Sequence, residues 1–340
     1  MLNDIARNAS SALVFGHKNP DGDSLCAMLA MGSFYKNEFG GDITFSVEGH
    51  IPDNLRFISD KWWLRKPADI KDIAFDLAIN VDTGNIDNLT GEDTRELWLR
   101  SKKKIKIDHH RNSPENADIN VIQQLSSTCE ILSNVALGNN WMITRDIAEL
   151  LYTGIFTDTG GFTADYSTPN TMRIAAMLLE IGKINHSDIV RKLNERAKQT
   201  FYNNLHTMSR TLFTDGDKIG FTTFSVKSEA PHCDTYLVHD QIMSVRGTVI
   251  SAIFTELEGN KVRVNLRSKD KNIPVNSFAA EFGGGGHPQM AAFIFDGGLD
   301  EAVAAIVPML NAVTVSMDSL QKHRDIFKQV ANDTSVRMAA

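Results

Sequence analysis

Apolar and polar positions along the first half of the chain switch repeatedly between two periods. The run 12–16 is apolar up to Gly16, 43–47 alternates, 74–81 is a second apolar run, and 105–107 is a short third one behind Lys102 to Lys104. Runs of this length bounded by polar turns predict strands. Between and after them, 24–34, 127–136, 145–156 and 171–181 carry apolar residues at helical spacing, and Gly182 is a natural stop for the last. Strands alternating with helices predict an α/β fold with a largely parallel sheet covered on both faces.

A charged, helix-prone stretch at 187–210 has few turn residues and reads as a helical connector. Beyond it, strand-like runs at 218–226, 248–257, 261–266 and 291–295, a glycine run at 283–286 and a helix at 300–310 predict a smaller mixed α/β domain. The expected boundaries are 1–186 for the first domain, 187–210 for the linker, 211–312 for the second domain and 313–340 for a polar tail. A chain of 340 residues supports two separate cores.

Composition narrows the setting. With 35 basic and 42 acidic residues the formal charge is -7, which argues against a surface that neutralises many phosphates of a long duplex. Any nucleic-acid substrate is therefore expected to be short. Cys26, Cys129 and Cys233 form no C-x-x-C pair and no even framework, and the opening residues lack an apolar h-region. Cytoplasm is expected, with no membrane partner, since no apolar run approaches the ~18 residues of a spanning helix.

The candidate chemistry gathers at the ends of apolar runs. Gly16-His17-Lys18-Asn19-Pro20-Asp21-Gly22-Asp23, Val81-Asp82-Thr83-Gly84 and Ile107-Asp108-His109-His110 each follow a predicted strand, and Asp158 follows a helical run on a Thr-Asp-Thr-Gly-Gly turn. In open α/β sheets, side chains leaving the carboxyl ends of strands converge on one crevice. Carboxylates and imidazoles without thiolates suit Mn²⁺, Mg²⁺ or Fe²⁺ better than a cysteine zinc site. Two such ions ~3.5–4 Å apart can clamp a phosphoryl group and acidify a water. That arrangement requires a bridging carboxylate, and the Pro-Asp-Gly-Asp segment is expected to be a tight loop aiming Asp21 and Asp23 at different ions.

In the second domain, 262–268 alternates so that Arg263, Asn265 and Arg267 share one face. The run Gly283-Gly284-Gly285-Gly286-His287-Pro288 can turn backbone amides toward an anion, and Pro288 is expected in the first turn of a helix.

These motifs together resemble the DHH phosphoesterases, in the subgroup that carries a DHHA1 domain, from about residue 12 to about 310. The resemblance makes 1–186 the DHH domain and 211–312 the DHHA1 domain. It implies that His17, Asp21 and Asp82 hold one Mn²⁺, that Asp23, Asp82, His109 and Asp158 hold the other, and that Asp82 bridges. It gives His110 to the substrate phosphate and to general-acid duty, and leaves Asp108 to orient the histidine pair. Leu266-Arg267-Ser268 and Gly284-Gly285-Gly286-His287 match the DHHA1 signatures. They imply that Arg267, Ser268, Gly285, Gly286 and His287 hold the distal part of the substrate. One departure is Thr163-Ala164-Asp165 after Thr-Gly-Gly-Phe, where relatives often have an arginine.

The expected activity is metal-dependent hydrolysis of short oligoribonucleotides to mononucleotides, with removal of the 3′-phosphate of pAp beside it, by metal-activated water and without a covalent intermediate. Hydrolysis of a cyclic dinucleotide or of linear pApA is the near alternative. Relatives acting on pyrophosphate or polyphosphate carry a different second domain. A non-catalytic nucleotide sensor is the rival from another class, and it is disfavoured because no ligand is missing. Homodimerisation is implied only by the resemblance.

Overall fold

The structure, a computed structural model, describes residues 2–214, 216–225 and 233–314, apart from the Asn88 side chain. The described residues divide between Glu195 and Arg196 into two compact units.

The first unit is built on six parallel strands, β1 (Ser11–Phe15), β2 (Asp42–Ser46), β3 (Leu64–Arg65), β4 (Leu77–Val81), β5 (Lys103–Asp108) and β6 (Ile119–Ile122). Their order across the sheet is β3-β2-β1-β4-β5-β6. The chain winds outward in one direction from β1 and in the other from β4, so the carboxyl ends of these neighbours open a crevice.

Side chains alternate between the two faces. Ala12, Val14, Leu77, Ile79, Ile105 and Ile107 enter a core that also holds residues of the helices Gly22–Phe39, Thr128–Asn139 and Arg145–Asp158. Leu13, Phe15 and Ala78 pack instead with Ile70, Phe75, Leu97 and Trp98. Cover on both sides is why β1 and β4 read as mainly apolar runs, with Asn80 buried in β4.

The helix expected over 24–34 spans Gly22–Phe39, because Asp21 Oδ1 accepts from the Ser24 amide at 3.0 Å and caps it. Asp23 therefore stands in the first helical turn and not on a tight loop. Other differences are local. The run 74–81 is a strand only from Leu77, and Asp76 before it takes Ser10 and Lys102 as partners. Strands β3 and β6 and the helix Glu92–Arg100 were too short or too polar in pattern to be read.

The second unit contains a mixed sheet of β7 (Leu212–Phe213), β8 (Ile219–Ser225), β9 (Ile250–Leu257), β10 (Lys261–Ser268), β11 (Gly285–His287) and β12 (Met290–Asp296), in the order β11-β12-β10-β9-β8-β7. Only the pair β8 and β9 is parallel among these described strands. Val262, Val264 and Leu266 of β10 face Phe278 and a helix at 299–314 that buries Ala302, Ile306 and Leu310. The helix Thr235–Ser244 covers part of the opposite face through Val238 and Ile242 against Ile253.

The stretch 187–210 resolves into two helices, His186–Asn194 and Lys198–Ser209, with the boundary between the units in the gap. The expected end of a strand at Val226 and the part of the tail from 315 lie outside the described residues.

A further expectation fails. Pro288 occupies the turn between β11 and β12, not the start of a helix. Antiparallel pairing decides this, bringing the glycines so close to β12 that a Cβ on Gly286 would lie 2.3 Å from the Met290 carbonyl oxygen.

Candidate metal centre

Five segments deliver the ligand-type residues. His17 lies just past β1, Asp82 directly follows β4, and Asp108 ends β5 ahead of His109 and His110. Asp21 caps and Asp23 opens the Gly22–Phe39 helix, while Asp158 is the last residue of the Arg145–Asp158 helix, not part of a free turn. The first unit thus brings all seven of these histidines and carboxylates, with Asp108 behind them, to the carboxyl edge of one sheet.

Asp82 is the hub. It is buried, and its φ of 50° is in the left-handed region that non-glycine residues rarely adopt. Its Oδ2 lies 3.9 Å from His17 Nε2, while its Oδ1 lies 3.4 Å from His109 Nε2 and 3.7 Å from His110 Nδ1. Three groups could each hold an ion, namely His17 with Asp21 and Asp82, Asp23 with His109 and Asp158, and Asp82 with His109 and His110.

The surroundings orient these side chains. His17 Nδ1 is 3.0 Å from the Lys18 carbonyl oxygen and His109 Nδ1 is 3.4 Å from that of Leu125. Donation to a carbonyl would fix the tautomer and leave Nε2 as the nitrogen that could ligate a metal in both rings. Asp23 accepts from the amides of Thr128 at 2.7 Å and Cys129 at 3.0 Å, the opening residues of the Thr128–Asn139 helix. Exposed N–H groups and the helix dipole favour its negative form there. Thr128 Oγ1 also donates to Asp82 Oδ1 at 3.0 Å.

Behind His110, Asp108 is fully buried and saturated. Its Oδ2 accepts from the Gly84 amide and from Ser113 Oγ, and its Oδ1 lies 2.7 Å from His110 Nδ1. Burial raises the Asp108 pKa, but the hydrogen bond and charge of His110 and the hydroxyl of Ser113 outweigh it and hold the group at about 2. An ionised Asp108 can only accept, so His110 carries its proton on Nδ1 and offers Nε2 for chemistry. Asp108 contacts His110, and His109 Nδ1 lies against the Leu125 carbonyl oxygen.

Sequence reasoning missed the Thr128 and Cys129 amides, Ser113, and Lys106, which is fully buried in β5 and donates to the Gly84 and Pro114 carbonyls. The Ser127-Thr128 pair before a helical run was the one signal that pointed at a capped helix end.

Charge crowding tests whether cations fit. Burial and then the charge of Asp82 push Asp23 up to about 7, and burial followed by Asp23 pushes Asp158 well above the carboxylate range. Burial pulls the histidines down, yet Asp21 and Asp82 carry His17 to about 10, and Asp82 with Asp158 carries His109 to about 11. Among the described residues Asp158 Oδ2 is buried without a hydrogen-bond partner, with His109 Nε2 at 3.6 Å. A donor set that hoards protons and leaves a buried carboxylate oxygen unsatisfied fits divalent cations.

In the second unit, Arg267 on β10 stands opposite Met290 on β12, and Met290 stands opposite His287 on β11. Gly286 lies opposite Ala291 and Gly285 opposite Ala292, one and two steps further along. The two motifs, separated in sequence by the residues from Lys269 to Gly283, are thus one strip of sheet with β12 between them. Ser268 points to the other face, and its hydroxyl is occupied by the amide and carbonyl of Asp270.

Two family models match the sequence, one described as the DHH family, N-terminal domain, over residues 11–155 and one as the DHHA1 domain over 234–315. The chain is 29% identical over 287 residues to the probable bifunctional oligoribonuclease and PAP phosphatase NrnA of Streptococcus mutans, covering 81% of this chain and 86% of that protein. It is 27% identical over 288 residues to the bifunctional oligoribonuclease and PAP phosphatase NrnA of Mycoplasma genitalium, covering 81% and 85%. The crystal structure of an exopolyphosphatase-related protein from Bacteroides fragilis superposes with a TM-score of 0.83 at 23% identity, over 92% of this chain and 94% of that one. At that identity the superposition speaks for the fold alone.

Proposed function

We propose, for a chain that belongs to the DHH family and carries a DHHA1 domain, that it hydrolyses short oligoribonucleotides to mononucleotides and removes the 3′-phosphate of pAp. It is a metal-dependent hydrolase of phosphoester bonds. The observation that carries the reading is Asp82, whose two carboxylate oxygens face His17 on one side and His109 and His110 on the other.

His17, Asp21 and Asp82 would hold one divalent ion, and Asp23, Asp82, His109 and Asp158 the other. Mn²⁺ suits a mixed imidazole and carboxylate set, and Mg²⁺ is the weaker candidate. The chemistry such ions supply is polarisation of the phosphoryl oxygens and acidification of a water.

The protein's own groups do the remaining work. His110, its Nδ1 proton fixed by Asp108, contacts the scissile phosphate through Nε2 and hands a proton to the leaving oxygen. The proton handed over is the one on Nε2 of the charged ring, while the Nδ1 proton stays in the hydrogen bond to Asp108. The side chains of Arg267 and His287 and the backbone of Gly285 and Gly286 grip a terminal phosphate, an arginine fork being suited to paired charge-assisted bonds. Ser268 contributes by holding the turn after β10 that sets Arg267 in place. Cys26 and Cys129, buried as thiols, accord with a cytoplasmic protein. Among the described residues, no helix is long and apolar enough to cross a membrane.

The test is side-by-side turnover of a short RNA ladder, pAp, pApA and a cyclic dinucleotide by chelator-treated protein, titrated with Mn²⁺ and with Mg²⁺. The reading expects RNA of a few nucleotides and pAp to be cleaved only when metal is restored. Binding without turnover of any substrate would identify a sensor instead.

A further inference from the structure

Arg267 is held in an unusual way. Its guanidinium carbon lies 4.1 Å from the centroid of the Tyr236 ring, and among the described residues no carboxylate lies within ion-pair distance of it. A half-exposed arginine ordinarily meets an acid, which occupies its in-plane donors. Here an aromatic face covers the flat side of the group and leaves its edge of N–H donors unoccupied.

Tyr236 itself is 50% exposed, so burial of the ring does not explain its place. It is the second residue of the Thr235–Ser244 helix, whose start is fixed by Asp234. That carboxylate accepts from the Leu237 amide at 3.2 Å and from Arg196 Nε at 2.6 Å. Val238 and Ile242 anchor the same helix against Ile253. The ring is therefore carried by a rigid element, while Arg267 is carried by β10 in register with Ser251 and Met290.

The neighbouring imidazole adds no competing charge. His239 is buried, its Nδ1 is 2.8 Å from Ser251 Oγ, and burial together with Arg267 pulls its pKa down to about 3.

We propose that Tyr236 is a positioning residue for substrate binding: its ring holds the Arg267 guanidinium so that the donor edge is presented, already ordered, to the terminal phosphate of the substrate. The proposal rests on the reading of Arg267 as a phosphate ligand. An unrestrained arginine loses side-chain freedom when it binds, and stacking removes part of that loss beforehand. Cation–π attraction beside a half-exposed ring is of a size to change affinity roughly tenfold.

The experiment compares KM and kcat of the full-length Mn²⁺-loaded protein on pApA and on ApA, which lacks the 5′-phosphate. The proteins are wild type, Tyr236→Ala, Tyr236→Phe, Arg267→Ala and the double variant Tyr236→Ala/Arg267→Ala. Tyr236→Ala is expected to raise KM for pApA roughly tenfold with kcat and the ApA constants unchanged. Tyr236→Phe should behave as wild type, and Tyr236→Ala should add nothing once Arg267 is gone.

If Arg267→Ala raises KM while Tyr236→Ala stays within twofold of wild type, the positioning role is wrong and the phosphate reading survives. Loss of affinity for ApA and pApA alike in Tyr236→Ala would also overturn the role. An unchanged KM in Arg267→Ala would remove the phosphate reading and the proposal with it. Should the alanine variant fail to fold by circular dichroism, Tyr236→Leu keeps the bulk without the π face and serves in its place.

Discussion

Asp82 combines burial, a left-handed backbone and contacts with three histidines, a combination that fits the shared ligand proposed for it. Asp82→Ala is expected to lower kcat by roughly 10³-fold or more, about 4 kcal/mol of barrier, with an unchanged circular-dichroism spectrum. Asp108→Asn keeps the shape but removes the charge behind His110. It should reduce kcat by about 10²–10⁴-fold, the usual span of acid–base catalysis, with little change in Mn²⁺ affinity. The sign of the pH effect on metal uptake is also fixed. His17 and His109, raised to about 10 and about 11, hold protons at neutral pH that a ligating imidazole must surrender. Mn²⁺ binding should therefore release protons and weaken as the pH falls. Calorimetric titration in buffers of different ionisation enthalpy measures this, and proton uptake on binding would contradict it. Each of these candidate ligands was legible as a candidate because its type is rare at the end of an apolar run. Thr128 and Ser113 were not, since a hydroxyl or an amide becomes a partner only when the fold brings it to Asp82 or Asp108.

Among the elements, the Arg145–Asp158 helix reaches the site with Asp158 and also packs tightly behind it at Gly154. A Cβ there would lie 2.3 Å from Cys129 Sγ and 3.0 Å from Asp23 Oδ1. Gly154→Ala should destabilise the first unit by about 1–3 kcal/mol, as overpacking does, and lower Mn²⁺ affinity by displacing Asp23; a thermal melt with and without metal checks both. In the second unit the pH dependence runs through His239. Its pKa falls from 6.5 unfolded to about 3 folded, so the unfolded chain takes the proton first. Stability from this source is complete above 6.5 and is lost as the pH falls toward 3. Urea melts of wild type and His239→Gln across that window should show a steeper acid loss in the wild type. Elements with mainly apolar runs, such as β1 and β4, were readable because both faces are buried. The helix Glu92–Arg100, which buries little beyond Thr94, Leu97 and Trp98, was not. The glycine run misled for a related reason: backbone freedom serves an anion-binding helix start and a crowded hairpin equally well, and only pairing with β12 separates them.

For the whole molecule, two compact units imply two unfolding transitions, of which the metal governs one. Ions bound to the native first unit should stabilise it by about 2.7 kcal/mol at a hundredfold excess over Kd, so a chelator should lower that transition in calorimetry and leave the other in place. A charge of -7 further predicts that long RNA gains nothing from surface contacts, and turnover should fall as the substrate lengthens. The α/β class and the order of the motifs were open in the sequence. The strand order that sets β1 beside β4, and the single strip shared by Arg267 and His287, were not, because pairing between distant strands leaves no local trace. The most direct measurement of the central claim is anomalous diffraction at the manganese edge from crystals grown with Mn²⁺. Two peaks ~3.5–4 Å apart, one beside His17 and Asp21, the other beside Asp23, His109 and Asp158, with Asp82 touching both, are predicted. A single peak, or peaks that leave Asp82 out, would contradict the account.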